Sequence, residues 1–372
     1  MNKRISSLFF VLLFILIGGL GFAQEHHEET ESDAQAIEKK EGFSAVKMIM
    51  DHISDSNEWH IATLNEGEGE NEKHISVPLP IIIKDNNGWH FFLSTAIEHG
   101  HEHEGYTLDK EGRLISTKNV EQASLFSLVS GKQDSQNVFY DFSVSKNVLA
   151  LFLSCIFMLL VFVGMANGYK KSPMPRNVLA RLLEPIVVFI RDEVAIPNIG
   201  TKKYKRYLPY LLTAFFFIWF NNLFGLIPFF PGGANLTGNI AVTGVLAIFT
   251  LIIILFSANR DYWKHIFLPP VPLWLYPIIV PIEIIGIFTK PFALMMRLFA
   301  NVTAGHIMIL AIIGLIFIFE TAALGFASVP LALFVSVLEL LVAVLQAYIF
   351  TMLSALFIGL AVQEHHHDEA EL

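Results

Sequence analysis

The pattern of hydrophobic and polar positions changes character near residue 147. Before it, short apolar stretches alternate with polar ones; after it, apolar residues come in long runs. Val148 to Asn167 carries no charge, and about 20 such residues span roughly 30 Å of hydrocarbon. Further spans are predicted over 207–230 and 240–256. Segment 273–320 is too long for a single crossing at about 1.5 Å per residue. It is predicted to divide into an entering segment, 273–289, interrupted by Pro277 and Pro281, and a long helix from about 290. An uncharged turn at 321–328 then leads to a last long helix over 329–362. The expected fold is an all-α polytopic membrane protein. It has about five transmembrane helices plus a surface or re-entrant helix, with long tilted helices in the C-terminal hairpin.

The first residues follow a different pattern. Lys3-Arg4, the apolar run ISSLFFVLLFILIGGLGFA and a small-residue exit near Ala23 predict a cleaved signal peptide over 1–23. Residues 24–146 are then an exported, acidic, His-rich module. Within it, 24–45 are expected to be disordered. Two strands are predicted around Asp85-Asn86-Asn87-Gly88, and a third in NVFYDFSVS at 137–145. The membrane domain occupies 147–364, and 365–372 form a cytoplasmic tail.

Charge refines the topology. Loop 169–206 carries nine Lys or Arg against three acids, which places it in the cytoplasm. The loop PGGANLTG at 231–238 has neither Lys nor Arg and reads as external, whereas Arg260, Lys264 and His265 mark an internal turn. Within the first basic loop, NVLARLLEPIVVFIRDEVA is predicted to lie along the membrane surface, bent at Pro185. Segment 24–146 holds 23 Asp or Glu against 10 Lys or Arg, so it is more acidic than the whole chain, whose net charge is −9, and the remainder is net basic. An acidic exported segment argues against nucleic-acid binding and against docking on anionic lipid.

Other chemistry is sparse. There is no GxxxxGK motif for a nucleotide. Cys155 is the only cysteine, so no intramolecular disulfide forms. Nine of the 14 histidines lie in 24–146, including His99, His101 and His103. Their spacing lacks a defined metal scaffold, so neither these nor His365, His366 and His367 are assigned a metal or cofactor.

The polar residues inside the apolar runs stand out more. Ionisable groups at membrane depth are costly and face protein or water. Arg297 and Asn301 are four apart and share a helical face; Glu339 and Gln346, two turns apart, share another. If the last two helices pack antiparallel around a turn near 322–325, Arg297 falls level with Gln346, and His306 with Glu339. The two polar layers are then about 13 Å apart along the axis. His306 and Glu339 can relay protons, whereas Arg297 keeps its proton at any working pH. Nine residues at about 100° each put His306 on nearly the opposite face from Arg297, so no straight pore follows. The plainer reading is that these residues hold helices together, with Arg297 snorkelling or paired to Glu283 or Glu339.

Segments KPFALMMRLFANVTAGH (290–306) and LELLVAVLQAYIFTML (338–353) resemble subunit a of F-type ATP synthases, supported by EPIVVFIRDEVAIPNIG (184–200) and FNNLFGLIP (220–228). The resemblance covers about 147–364. It implies a stator subunit of the ATP synthase membrane sector, in a bacterial inner membrane, with two offset proton half-channels. Its implied partners are the c-ring subunits and subunit b, and it is not catalytic alone. Arg297 matches the stator arginine that faces the c-ring carboxylate, and Asn301 and Gln346 match polar positions around it. His306 and Glu339 match an acid and histidine pair with the order exchanged. Asn222 matches a position of the external path and Glu283 one of the internal path. Gly225 stands where some members carry aspartate, and the exported segment is longer than the family's usual N-terminus. A reading from another class is a membrane-anchored exported metal or ligand sensor, with its function in 24–146.

Overall fold

The computed structural model describes residues 55–65, 72–97, 101–108, 114–117, 121–122, 138–171, 178–227, 232–269, 271–319 and 324–363. The expected signal peptide, the segment 24–45, His99 and the tail 365–372 lie outside these residues. The chain forms two compact units. The first contains the N-terminal module with the start of the first long helix, together with 227–234 and 305–336; the second contains the rest.

In the first unit, strands β1 (Glu58–Asn65) and β2 (Glu72–Pro78) form an antiparallel pair with a bulge between His60 and Ala62. Strands β3 (Pro80–Asp85) and β4 (Gly88–Leu93) form the hairpin expected around Asp85–Gly88. Its turn is fixed by Asp85, whose Oδ1 accepts from the backbone N–H groups of Asn87 at 2.7 Å and Gly88 at 3.0 Å. Gly88 has φ +138°, a conformation that excludes most side chains. Strands β5 (Tyr106–Leu108), β6 (Leu114–Ser116), β7 (Glu121–Gln122) and β8 (Val138–Asp141) complete the module. The largest sheet has the order β4-β3-β8-β7, so β4 is an edge strand. One face of that sheet supplies Ile81, Ile83 and Phe139 to a small core shared with Ile97, Tyr106 and Leu114.

The first long helix, α1 (Lys146–Lys171), is tied to this module at its N-terminus. Asp55 accepts from the Asn147 backbone N–H at 3.0 Å and from Ser145 Oγ at 2.7 Å, and the Lys146 N–H donates to the Ser56 carbonyl at 2.9 Å. A carboxylate there satisfies orphan N–H groups and meets the positive end of the helix dipole.

In the second unit, α2 (Val178–Phe189) contains Pro185 and passes into a π-helical stretch, Ile190–Ala195, and the short α3 (Ile196–Ile199). Proline removes one intrahelical donor, and the wider turn that follows re-aims Ile190, Val194 and Ala195 fully inward. Helices α4 (Tyr204–Leu226) and α5 (Ile240–Ser257) follow, then the short α6 (Arg260–Phe267). Asn239 caps α5, its side chain accepting from the Ala241 N–H at 2.9 Å. The unit's core gathers Leu211, Phe216 and Ile218 of α4 with Leu294, Leu298, Ala347, Phe350 and Ile358 of the last two helices.

The last two helices are α7 (Tyr276–Ile318, 43 residues) and α8 (Gly325–Val362, 38 residues). Among the described residues, five helices are thus long and apolar enough to cross a membrane. The entering segment expected over 273–289, re-entrant or strongly tilted, is not separate from the long helix: from Tyr276 it is the first part of α7, which contains both Pro281 and Pro291. In an apolar medium the backbone has no water to bond with, so the helix persists past a missing donor. At about 1.5 Å per residue α7 is roughly 64 Å long, about twice the hydrocarbon thickness, as expected for a strongly tilted helix. The last helix begins at Gly325, a turn earlier than the sequence suggested.

Candidate functional site

Arg297 is the middle residue of α7. One side of this helix is buried in the unit's core through Leu294, Leu298 and Val302. Arg297 and Asn301 are on the other side, both exposed, among the exposed small residues Ala293, Ala300 and Ala304. The expected shared face of Arg297 and Asn301 is therefore present. The pairing of Arg297 with Glu283 or Glu339 is not: both are half-buried, and Arg297 has no ion-pair or hydrogen-bond partner among the described residues. A guanidinium at mid-helix that is turned out from its own core needs an anionic or polar partner from elsewhere.

On α8, Gln346 is 5 % exposed and Glu339 is half-buried. Both carboxylate oxygens of Glu339 are inaccessible and without a hydrogen-bond partner among the described residues. A buried carboxylate left unbonded is costly, so this group needs a proton or a water to be at ease. Two turns on, Gln346 packs with the core residue Ala347 beside it.

Asn222 of α4 is buried and joins two other segments. Its Nδ2 donates to the Ala343 carbonyl of α8 at 3.5 Å, and its Oδ1 accepts from the hydroxyl of Thr237. Ala343 lies between Glu339 and Gln346 in sequence, so the structure brings Asn222 to the polar face of α8. Thr237 was not singled out from the sequence; its signal was an oxygen-bearing side chain in a loop, NLTG, that otherwise looked like a connector. The same loop reaches α7, where Thr303 Oγ1 donates to the Gly238 carbonyl at 3.5 Å.

At the other end of α7, Glu283 is half-buried near α6. Burial, and then the charge of Glu283, push the Tyr262 phenol up, a neighbour the sequence did not suggest. Lys290 Nζ lies 5.8 Å from the Phe357 ring centre. That contact brings the start of the Lys290–Ile318 part of α7 beside the C-terminal part of α8. The end of α8 is held by two loops: Lys203 Nζ and Asn259 Nδ2 both donate to the Val362 carbonyl, at 2.9 Å and 2.8 Å. His306 is half-buried on α7 and belongs to the first unit, whereas Arg297, Asn301, Glu339, Gln346, Asn222 and Glu283 belong to the second. Among the described residues no group of three or more His, Cys, Asp or Glu is placed to hold a metal ion.

A family model described as ATP synthase A chain matches residues 148–359, a range that contains all seven of these residues. The chain belongs to the ATP synthase A chain family. It is 46% identical over 235 residues to ATP synthase subunit a of Myxococcus xanthus, covering 62% of this chain and 76% of that protein. It is 49% identical over 239 residues to ATP synthase subunit a of Chloroherpeton thalassium, covering 62% and 70%. The subunit a of Anaeromyxobacter dehalogenans strain 2CP-C is 47% identical over 237 residues, covering 61% and 60%. Residues 48–142 match a second model, a domain of unknown function (DUF8433). As a member of the ATP synthase A chain family with five membrane-length apolar helices among its described residues, the chain is a multi-pass membrane protein.

Proposed function

We propose that this chain is the stator subunit of the membrane sector of an F-type ATP synthase, working with a c-ring and subunit b in a bacterial inner membrane. The observation that carries this is the exposure of Arg297 and Asn301 at the middle of α7, beside Ala293, Ala300 and Ala304. Small side chains let another helix approach closely, and a fixed cation favours the ionised form of a carboxylate that comes within about 4–6 Å. A ring carboxylate passing Arg297 would release its proton, and the same charge would bar direct proton leakage between two offset half-channels. Gln346 stands with Asn301 around this position.

In this reading His306 and Glu339 each carry protons on the external path, to which Asn222 also belongs, and Glu283 belongs to the internal path. The unbonded, inaccessible carboxylate of Glu339 supports a group that gains and loses a proton. The presence of both a histidine and an acid among these polar residues favours protons over sodium as the transported ion. On the loop charges, the N-terminal module is external and the C-terminus cytoplasmic. The chain carries no nucleotide chemistry itself. Family membership rests on the spans and so supports this reading over a membrane-anchored sensor.

The test is proximity. With Cys155→Ser as background, Ala300→Cys should form a disulfide with a cysteine placed one turn from the ring carboxylate in assembled complex. A cross-link from Ala300→Cys, with none from Leu294→Cys on the buried side, is the expected result; the reverse pattern would reject the proposed facing.

A further inference from the structure

The large sheet of the N-terminal module has a second face that its own core does not use. Register places Pro80, Ile82 and Lys84 of β3 opposite Leu93, Phe91 and Trp89 of β4, and Lys84 also pairs with Tyr140 of β8. Strand alternation sends Ile81, Ile83 and Phe139 inward, and Trp89, Phe91, Leu93, Tyr140 and Phe142 outward. Phe91 is 68% exposed and Trp89 53%. The rings are gathered rather than scattered: Trp89 stacks on Phe91 at 6.0 Å between centroids and meets Phe142 at 5.7 Å. A contiguous aromatic face of this kind marks a contact surface.

Three observations identify the partner. First, the face continues into a membrane span. Phe142 and Val144 donate backbone bonds to Ile82 and Pro80 at 2.8 Å and 3.0 Å, so the sheet runs to within two residues of Lys146, where α1 begins. Phe142 is four positions from Lys146, which limits their separation to about 14 Å. Second, Asp55 and Ser56 bond to Ser145, Lys146 and Asn147, so the module is clamped to the helix end rather than hung on a free linker. Third, the charge is segregated. The segment 24–146 is strongly acidic, yet among the described residues the part of this face built by β3, β4 and the end of β8 carries no carboxylate, and its ionic group is Lys84, 5.4 Å from the Trp89 ring centre. Indole and phenol rings with a nearby ammonium suit the boundary between lipid headgroups and acyl chains.

We propose that this sheet lies on the bilayer, with Trp89, Phe91, Leu93, Tyr140 and Phe142 seated at the headgroup level of the leaflet where α1 begins. Lys84 contacts lipid phosphate. The lipid is net neutral, because the rest of the module repels an anionic surface. The module thereby holds the start of α1 at a fixed depth. The inference rests on α1 being a membrane span.

The test uses full-length chain in assembled complex, with Cys155→Ser, carrying an environment-sensitive fluorophore on Phe91→Cys, Asn87→Cys or Leu159→Cys. The complex is reconstituted in phosphatidylcholine vesicles with and without bromine near the glycerol end of the chains. Leu159 lies on the lipid-exposed side of α1 and reports the span itself. The expected result is blue-shifted, bromine-quenched emission at position 91, water-like emission at 87 and quenching at 159. Blue-shifted but unquenched emission at 91 means that another protein or a second copy covers the face, and overturns the proposal. Water-like emission at 91 with quenching at 159 also overturns it while leaving the span intact; loss of quenching at 159 would overturn the span. Carbene-bearing phosphatidylcholine, photolysed with the unsubstituted chain, gives a reading independent of any variant: adducts should map to residues 89–93, and their absence contradicts the seating.

Discussion

Asn222 is bonded in two directions at once, to the Ala343 carbonyl and to Thr237. Asn222→Ala leaves a buried hydroxyl and a polar pocket with fewer partners, at a cost of about 1–3 kcal/mol. The expected outcome is a lower melting temperature of the detergent-solubilised chain, with Thr237→Val lowering it less than additively in the double variant. Strict additivity would contradict a shared bond. His90 offers a second residue-scale check. Partial burial opposes its charge, but Glu104, bonded to Nδ1, and Asp85, 3.1 Å from Nε2, outweigh this and hold the imidazole above its usual value. A raised folded value means that the stabilisation is fully present below about pH 6.5 and is lost as pH rises through that raised value. Hydrogen exchange of β3 and β4, compared between wild type and His90→Gln at matched pH, should differ most in acid and converge in alkali. A difference that grows with pH would contradict the assignment. At this scale the sequence showed which residues were unusual, because an Arg, Glu or Asn within a long apolar run is rare. It could not show Thr237 or Tyr262, whose importance comes from partners 15 and 21 positions away.

Among the elements, α8 meets α3 at a backbone-to-backbone approach. A Cβ at Gly359 would overlap the Asn198 carbonyl oxygen, and a backbone carbonyl has little freedom to yield. Gly359→Ala should therefore destabilise the second unit by about 1–3 kcal/mol, whereas Gly286→Ala, open on α7, should not. Equal melting temperatures for the two variants would refute the close approach. The spans themselves were legible from uncharged length, and the hairpin of β3 and β4 from Asp85-Asn86-Asn87-Gly88. The continuity of α7 was not, because its length exceeds a single crossing and Pro277 and Pro281 signal a break in water, where a freed carbonyl finds a new partner. Inside a membrane the helical bonds around a proline have no competitor. Helix α2 shows the compromise at Pro185, where the chain stays helical but widens into a π stretch.

Over the whole molecule, the acidic β module and the greasy helical part follow different chemical rules, and each was visible as a separate pattern. What no single chain displays is the partner of Arg297. Its permanence in the sequence pointed to a charge; its exposure in the structure points to a charge supplied by another chain. The most direct measurement is ATP-driven proton pumping in membrane vesicles carrying Arg297→Ala, with assembly of the complex checked in the same preparation. Pumping abolished with assembly intact is the predicted result. Normal pumping by an assembled Arg297→Ala complex would contradict the stator reading.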